Sequence, residues 1–170
     1  MSVAIMPLDD KLLLPTKELI AEVVLEFYGD LEFLPKSKNE LLKHYTDTGY
    51  LKDLDEHRSE YSRENGAFFV LSDGGAVVGC GGVRRLGSQS GELVRLWLKQ
   101  EMRGRGLGLH LLRELVRVAS AIPYQELYLD TSHRCSDAVR LFKRNGFVEC
   151  GKYKESIGDI FLKKEMKETP

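Results

Sequence analysis

The chain has 170 residues, enough for one domain with a hydrophobic core and too few for two ordinary domains. Its 25 lysines and arginines nearly balance its 26 aspartates and glutamates, so no overall basic field favours nucleic acid or an anionic membrane as a partner. No stretch approaches the roughly 18 continuous apolar residues that a membrane span requires.

The first third of the chain is predicted to be helical. Apolar residues recur at helical spacing in TKELIAEVVLEF, with Thr16 as the expected N-cap after Pro15. Residues 38–64 are polar with scattered leucines, and a break near Thr48 and Gly49 indicates two short helices or a helix and a loop.

From residue 67 the pattern changes to that of strands and then alternates. The turn Asp73-Gly74-Gly75 predicts a hairpin between strands over 67–71 and 76–83. The elements expected after it are a strand over 92–98, the loop RGRGLG at 103–108, an amphipathic helix ended by Pro123, a strand over 126–130, a helix over 136–144 and a hairpin joining 147–149 to 157–162. This order predicts one mixed α/β (α+β) domain whose sheet is only partly parallel.

The loop RGRGLG lies between a predicted strand and the start of a predicted helix. Unpaired N–H groups and the helix dipole suit a phosphate there, and glycines let an anion approach the backbone. The Gly-Lys-Ser/Thr of a P-loop is missing, and Leu109 stands where a dinucleotide motif has its third glycine. Taken alone, the loop is equally consistent with a tight turn; a nucleic-acid site would require an extended basic surface.

The sequence around this loop resembles the GNAT superfamily of N-acetyltransferases. Arg103, Gly106 and Gly108 match its acetyl-CoA motif, Gln/Arg-x-x-Gly-x-Gly/Ala. Its second signature is similar to LYLDTSHRCSDAVRLFKRNGF, through Ala138, Leu141, Gly146 and Phe147. The resemblance implies one domain over 1–170, with a helical acceptor-side region (1–65), an acyl-CoA-binding part (67–164) and a mostly antiparallel sheet with a parallel central pair.

The resemblance also implies acetyl-CoA as cosubstrate. Its pyrophosphate would bind backbone N–H groups of the loop, and its peptide-like pantetheine arm would pair with the strand edge just before it. The predicted contacts are Leu96, Trp97, Leu98, Arg103, Gly104, Arg105, Gly106, Leu107, Gly108 and Phe142. The side chains of Arg103 and Arg105 are expected on phosphate, with solvated cations beside Glu101 as the alternative and Lys99 as a weaker candidate.

Acyl transfer to an amine requires a group that removes the amine's proton. Glu92 is the predicted base, because its position resembles that of the general-base glutamate in related histone acetyltransferases; the equal alternative is a carboxylate facing water. Asp130 is a second carboxylate that could face the same cleft. A backbone N–H of the strand before the loop would polarise the thioester carbonyl.

Two positions depart from the superfamily's pattern. Phe142 replaces the tyrosine that often protonates the leaving thiolate, and Cys135 replaces an asparagine that contacts coenzyme A. A thiol nucleophile built from His133 and Cys135 is disfavoured, because direct transfer needs no acyl-enzyme. The missing tyrosine keeps a non-catalytic acyl-CoA-binding or regulatory module as the alternative to an enzyme, and a longer acyl group also stays open.

The expected acceptor is a primary amine of a small molecule or peptide. The helical zone would meet it, although exposed carboxylates are ordinary on any helix; its polar residues are Asp53, Asp55, Glu56, His57, Glu60 and Tyr61. A final strand at a sheet edge would leave a homodimer as one interpretation.

Thiols, metal and location complete the expectations. Cys80, Cys135 and Cys150 are odd in number and widely spaced, and the four histidines lack ligand spacing, which predicts free thiols and no metal. The start, MSVAIMPLDD, lacks a secretion-signal pattern, so we expect a cytoplasmic protein.

Overall fold

A computed structural model describes residues 3–166 and contains a seven-stranded sheet flanked by helices. The strand order is β1-β2-β3-β4-β5-β7-β6. The strands are β1 (Val3–Pro7), β2 (Ala67–Asp73), β3 (Ala76–Arg85), β4 (Ser90–Leu98), β5 (Glu126–Thr131), β6 (Val148–Glu149) and β7 (Ile160–Glu165). The helices are α1 (Leu13–Tyr28), α2 (Lys38–Thr48), α3 (Lys52–Asp55), α4 (His57–Glu60), α5 (Leu107–Ser120) and α6 (Ser136–Arg144).

The predicted mixed sheet with one parallel central pair is confirmed. All neighbouring strands pair antiparallel except β4 and β5, which run parallel. Their pairing covers only Ser90–Glu92 against Glu126–Tyr128, after which the two strands separate. Because the two strands separate after three residue pairs, a gap opens between them in the sheet.

Two hydrophobic clusters hold the helices against the sheet. The α5 helix buries Leu111, Leu112 and Leu115 in the cluster that includes β5 and β7, and its opposite face carries charges. The α1 helix packs with α2 and α3 in the other cluster, which includes Val70 and Cys80 of the sheet. Both helices therefore lie near β4, the strand that leads into the glycine loop.

The prediction that the first third is entirely helical is wrong at its start. Val3–Pro7 forms β1, which pairs antiparallel with β2 from Val3↔Asp73 to Pro7↔Phe69. A five-residue strand with mixed exposure has little local signal, and its partner lies more than 60 residues away along the chain.

The predicted N-cap of α1 is also wrong. The helix begins at Leu13, so Pro15 lies in its first turn, where a missing N–H breaks no intrahelical bond. Thr16 is buried inside the helix instead of capping it.

The final strand is not at a sheet edge, contrary to expectation. β7 lies between β5 and β6, and the edge strand on that side of the sheet is the two-residue β6, with β1 at the opposite edge. Such a short edge offers few backbone groups to a second chain.

Within residues 3–166, no helix combines the length and apolarity needed to cross a membrane.

Candidate active site

A cleft of about 1010 Å³ opens where β4 and β5 separate. One wall is formed by Leu93–Trp97 of β4, and the facing wall by Leu129, Asp130 and Thr131 of β5. Residues of α1, α2, α3 and α6 complete the enclosure. Beyond Glu92, the β5-facing edge of β4 has no strand partner among residues 3–166, which leaves room for a peptide-like ligand.

The glycine loop turns the chain from β4 into α5. Gly104 (φ 72°) and Gly106 (φ 77°) adopt left-handed backbone conformations, and a Cβ at either position would meet no atom within 4 Å. Gly106 precedes the first residue of α5, so the first N–H groups of that helix have no intrahelical acceptor. The loop therefore offers open backbone donors at a helix N-terminus, which fits a diphosphate.

The guanidinium group of Arg103 is engaged inside the protein. It pairs with Glu26 of α1, donates to the Leu98 carbonyl oxygen at 2.9 and 3.1 Å, and lies 4.9 Å from the centre of the Phe27 ring. Its partner is thus Glu26, not Glu101 as in the alternative interpretation. A phosphate contact by this side chain stays a prediction, and it would compete with these bonds.

Leu96, Trp97, Arg105 and Lys99 are further candidate contacts of the cosubstrate. Leu96 and Trp97 line the cleft, and Trp97 packs against Phe27 with ring centres 6.2 Å apart. Arg105 is exposed, whereas Lys99 lies 3.6 Å from Glu22. Their roles toward phosphate stay predictions.

Glu92 is 1% exposed, so it is not a carboxylate facing water. It lies at the last position of β4 that pairs with β5, where these two strands begin to separate. Its Oε2 accepts from Arg84 Nε and Nη2 at 3.2 and 3.1 Å, and its Oε1 accepts from the Tyr153 hydroxyl at 2.9 Å and contacts Lys154 Nζ. Both oxygens of the candidate base are therefore occupied.

Asp130 lies beside this cluster on β5. Lys154 Nζ is 2.7 Å from Asp130 Oδ1 and so bridges the two carboxylates that the sequence suggested for one cleft. The Ser156 hydroxyl also donates to Asp130. Lys154 and Ser156 belong to the segment between β6 and β7, whose part in the site the sequence did not indicate, because it lies some 60 residues from Glu92.

A second ion-pair network lies beneath the helical zone. Asp53 accepts from Arg95 Nε and Nη2 at 3.0 and 2.7 Å and from the Tyr61 hydroxyl at 2.5 Å. Arg95 has a left-handed φ of 56° in an irregular part of β4, and its guanidinium also lies 4.9 Å from the Tyr50 ring. This network joins α3 to the central sheet.

The six polar residues predicted on the acceptor side separate in the structure. Asp53, Glu56 and Glu60 line the cleft. His57 and Tyr61 line a separate pocket of about 420 Å³ near Asp10. Asp55 forms a surface ion pair with Lys17 at 2.5 Å, so it takes no part in the cleft.

A comparison with known families decides the classification. The family model described as "Acetyltransferase (GNAT) family" matches residues 34–147, two thirds of the chain, and covers the glycine loop and the two strands, β4 and β5, that face the cleft. The chain belongs to the GNAT family. The predicted resemblance is confirmed.

Relatives and solved structures of GNAT proteins agree with this assignment. The chain is 33% identical to the uncharacterized N-acetyltransferase YjgM of Escherichia coli over 107 residues, covering 59% of this chain and 64% of the relative. It is 31% identical to mouse N-acetyltransferase 8F1 over 121 residues, covering 68% and 54%. The chain spans 48 to 64% of the length of the curated relatives it matches.

The fold matches solved GNAT-type structures over nearly the whole chain. A GNAT-family acetyltransferase from Staphylococcus aureus Mu50 has a TM-score of 0.80 at 17% identity, covering 98% of this chain and 100% of that one. The PaiA N-acetyltransferase of Thermoplasma acidophilum, solved in complex with coenzyme A, has a TM-score of 0.76 at 20% identity, covering 97% and 99%. At these identities the likeness shows the fold.

The departures from the GNAT signatures have clear positions in the cleft. Phe142 is buried and lines the cleft, and its ring centre lies 5.8 Å from that of Phe147. The Cys135 thiol lies 3.9 Å from the Tyr28 hydroxyl, and burial raises its pKa. His133 pairs instead with Asp159, so His133 and Cys135 form no catalytic pair.

Tyr28 is a cleft residue that the sequence analysis missed. It is the last residue of α1, is buried and lines the cleft with Cys135 and Phe142. Burial raises the pKa of Tyr28, so its phenol stays protonated at neutral pH. In sequence it is one apolar position of an amphipathic helix, which gives no sign of a cleft role.

Among residues 3–166, no group of three or more histidine, cysteine or acidic residues could hold a metal ion.

Proposed function

We propose that this protein transfers an acetyl group from acetyl-CoA to a primary amine by direct attack in a ternary complex. The observation that carries the proposal is the alignment of three features along β4. Buried Glu92 lies where β4 leaves β5, the unpaired edge follows it, and the open glycine loop ends it. A cosubstrate held by the edge and the loop would extend its thioester toward Glu92.

Binding of the cosubstrate is assigned mainly to backbone groups. The N–H groups around Gly104–Gly108 suit the pyrophosphate, and the edge at Leu96–Leu98 suits the pantetheine arm. The Leu98 carbonyl already accepts from Arg103, so Arg103 would hold the edge and α1 in position. Phe142 would pack against the arm. Bound acetyl-CoA would supply the thioester that is attacked.

Glu92 is assigned as the group that receives the amine's proton. An alkylammonium has a pKa of about 10.4, so it must lose a proton before attack. Glu92 lies against the cations Arg84 and Lys154, and Asp130 adds a second carboxylate for an incoming ammonium. A donor that contacts Glu92 must move away before Glu92 can accept from the substrate, and both Tyr153 and Lys154 come from a segment without helix or strand.

Tyr28 is assigned as the proton donor to the departing thiolate. Phe142 cannot donate a proton, whereas the Tyr28 hydroxyl lies in the same cleft, 3.9 Å from Cys135 Sγ. The Tyr153 phenol is instead bonded to Glu92. The GNAT-type neighbours include structures solved with coenzyme A and with acetyl-CoA, which supports an acetyl donor. The amine acceptor, a cytoplasmic location and a homodimer stay predictions.

The deciding experiment measures thiol release from acetyl-CoA with a panel of amines, amino acids, polyamines and peptides. Amine-dependent release should fall by about 10²–10⁴-fold in Glu92→Gln, the usual contribution of a general base. Glu114→Gln is the matched control, because Glu114 lies on α5 and forms an ion pair with Arg117 at 2.9 Å. Calorimetry must show that Glu92→Gln still binds acetyl-CoA. Tight binding without turnover on any amine would favour the non-catalytic module.

A further inference from the structure

A primary amine of the chain lies inside its own cleft. Lys154 lines the cleft, and its Nζ contacts Glu92 and lies 2.7 Å from Asp130 Oδ1. Its side chain is 30% exposed, so it is neither sealed in the core nor free in solvent. The proposed acceptor amine would have to approach the same carboxylate that Lys154 Nζ already contacts.

The chemistry of Lys154 matches that of the proposed acceptor. Its side chain is an unbranched aliphatic primary amine. Burial alone would lower the pKa of Lys154, but hydrogen bonds to Asp130 and Glu92 outweigh burial and raise it. Lys154 is therefore a bound ammonium ion, and it needs the same proton removal as any substrate amine. Glu92, its neighbour, is the group to which that step is assigned.

Proximity favours reaction at this lysine. An amine tethered in a productive geometry reacts as if its concentration were about 10⁵ M or more, so even a small fraction of productive conformers is significant. The tether is the segment at residues 150–159, which contains no helix or strand. The nearby Lys152 carries the same primary amine, but it is 52% exposed and pairs with Glu155 at 2.7 Å.

We propose that Lys154 is acetylated by the protein's own acetyl-transfer site, an inference that rests on the proposed function. Lys154 Nζ gives one proton to Glu92 and attacks the thioester carbonyl carbon of acetyl-CoA. The N–C bond forms and the C–S bond breaks. The thiolate leaves and takes up the second proton that the nitrogen loses, so the products are N-acetyl-lysine and coenzyme A, and Glu92 releases the first proton to solvent.

The modification would change the site that makes it. An acetylated Lys154 carries no positive charge and cannot bridge Glu92 and Asp130. Glu92 would lose one of its two cationic partners and keep Arg84. The Oε1 atom of Glu92 would then retain only the Tyr153 hydroxyl, which opens a place for an acceptor's ammonium group.

The test uses the purified full chain and deuterated acetyl-CoA, so that acetyl groups added during expression are distinguished by mass. Tandem mass spectrometry follows each lysine with time. Lys154 should gain the label at least tenfold faster than Lys152, and its half-time should stay unchanged on tenfold dilution of the protein. Labelling of Lys154 no faster than Lys152, or at a rate proportional to protein concentration, would overturn the proposal.

Variants separate this proposal from the proposed function. Glu92→Gln should slow labelling of Lys154 and leave that of Lys152 unchanged, whereas Lys152→Arg should leave Lys154 labelling unchanged. Amine turnover is measured on the same samples. Turnover of added amines without labelling of Lys154 refutes self-acetylation alone; absence of both turnover and labelling refutes the proposed function and, with it, this inference.

Discussion

Replacing Asp53 by asparagine should destabilise the protein strongly. Asp53 is 8% exposed and accepts two hydrogen bonds from Arg95 and one from Tyr61. The substitution keeps the size of the side chain but removes its charge, which leaves the Arg95 side chain, 11% exposed, without its counterion. Breaking a buried ion pair from one side costs about 3–5 kcal/mol. At roughly 2–4 °C per kcal/mol for a chain of this length, Tm should fall by about 6–20 °C.

Urea unfolding followed by circular dichroism measures the change, and Asp55→Asn is the matched control. Asp55 lies two residues away, is 54% exposed and pairs with Lys17, so its loss should cost less than about 1 kcal/mol. If Asp53→Asn were no more destabilised than Asp55→Asn, the buried network would not hold α3 against the sheet as inferred.

Three further predictions concern Asp53, Gly106 and Tyr28. Burial would raise the pKa of Asp53, but the hydrogen bonds and charge of Arg95 outweigh it and keep the folded-state pKa below the ordinary value of about 3.9. The stability that Asp53 adds is therefore complete above that value and lost as pH falls through the folded pKa. Urea titrations should show the difference in unfolding free energy between wild type and Asp53→Asn narrowing as pH falls from 5 to about 3, and an unchanged difference would contradict this. Gly106→Ala forces a side chain into φ 77° and should cost about 1–2 kcal/mol and weaken coenzyme A binding, whereas Gly108→Ala makes only ordinary contacts at 3.5 Å and should be neutral in the same unfolding and calorimetry assays. Tyr28→Phe should lower kcat by at least about 10²-fold without changing the affinity for acetyl-CoA, and adding Phe142→Tyr should restore part of the rate; steady-state kinetics that show an unchanged kcat in Tyr28→Phe would remove it as the proton donor.

The strands and helices after residue 67 were largely predictable, because the sequence patterns that predict them involve neighbouring residues. The change to strand periodicity at residue 67, the turn at Asp73-Gly74-Gly75 and the loop before α5 all depend on neighbouring residues. The strand β1 was not predictable in this way, because it exists through pairing with β2. The position of β7 inside the sheet likewise follows from tertiary pairing, which the order of elements alone leaves open.

The candidate site was likewise predictable only where its features depend on neighbouring residues in the sequence. Glu92 could be singled out from its place before the loop, but its burial depends on Arg84, Tyr153 and Lys154, which come from two other parts of the chain. The position of Arg103 was predicted, whereas its pairing with Glu26 was not, because the partner lies 77 residues away. Side-chain partners at such separations become visible only when the sheet brings them together.

Because β4 separates early from β5, the two halves of the sheet are connected by few backbone hydrogen bonds. Within residues 3–166, three strand pairs, Ser90–Glu92 with Glu126–Tyr128, connect β1–β4 to β5–β7, extended by one hydrogen bond from the Gln125 N–H to the Gln89 carbonyl oxygen. A peptide-like ligand lying in the gap would bond across it and serve as a temporary strand. Backbone amides on both sides of the gap would then exchange with solvent quickly in the free protein and slowly in the complex. The cosubstrate would thus be a structural part of the sheet during each turnover, as well as the source of the group that is transferred.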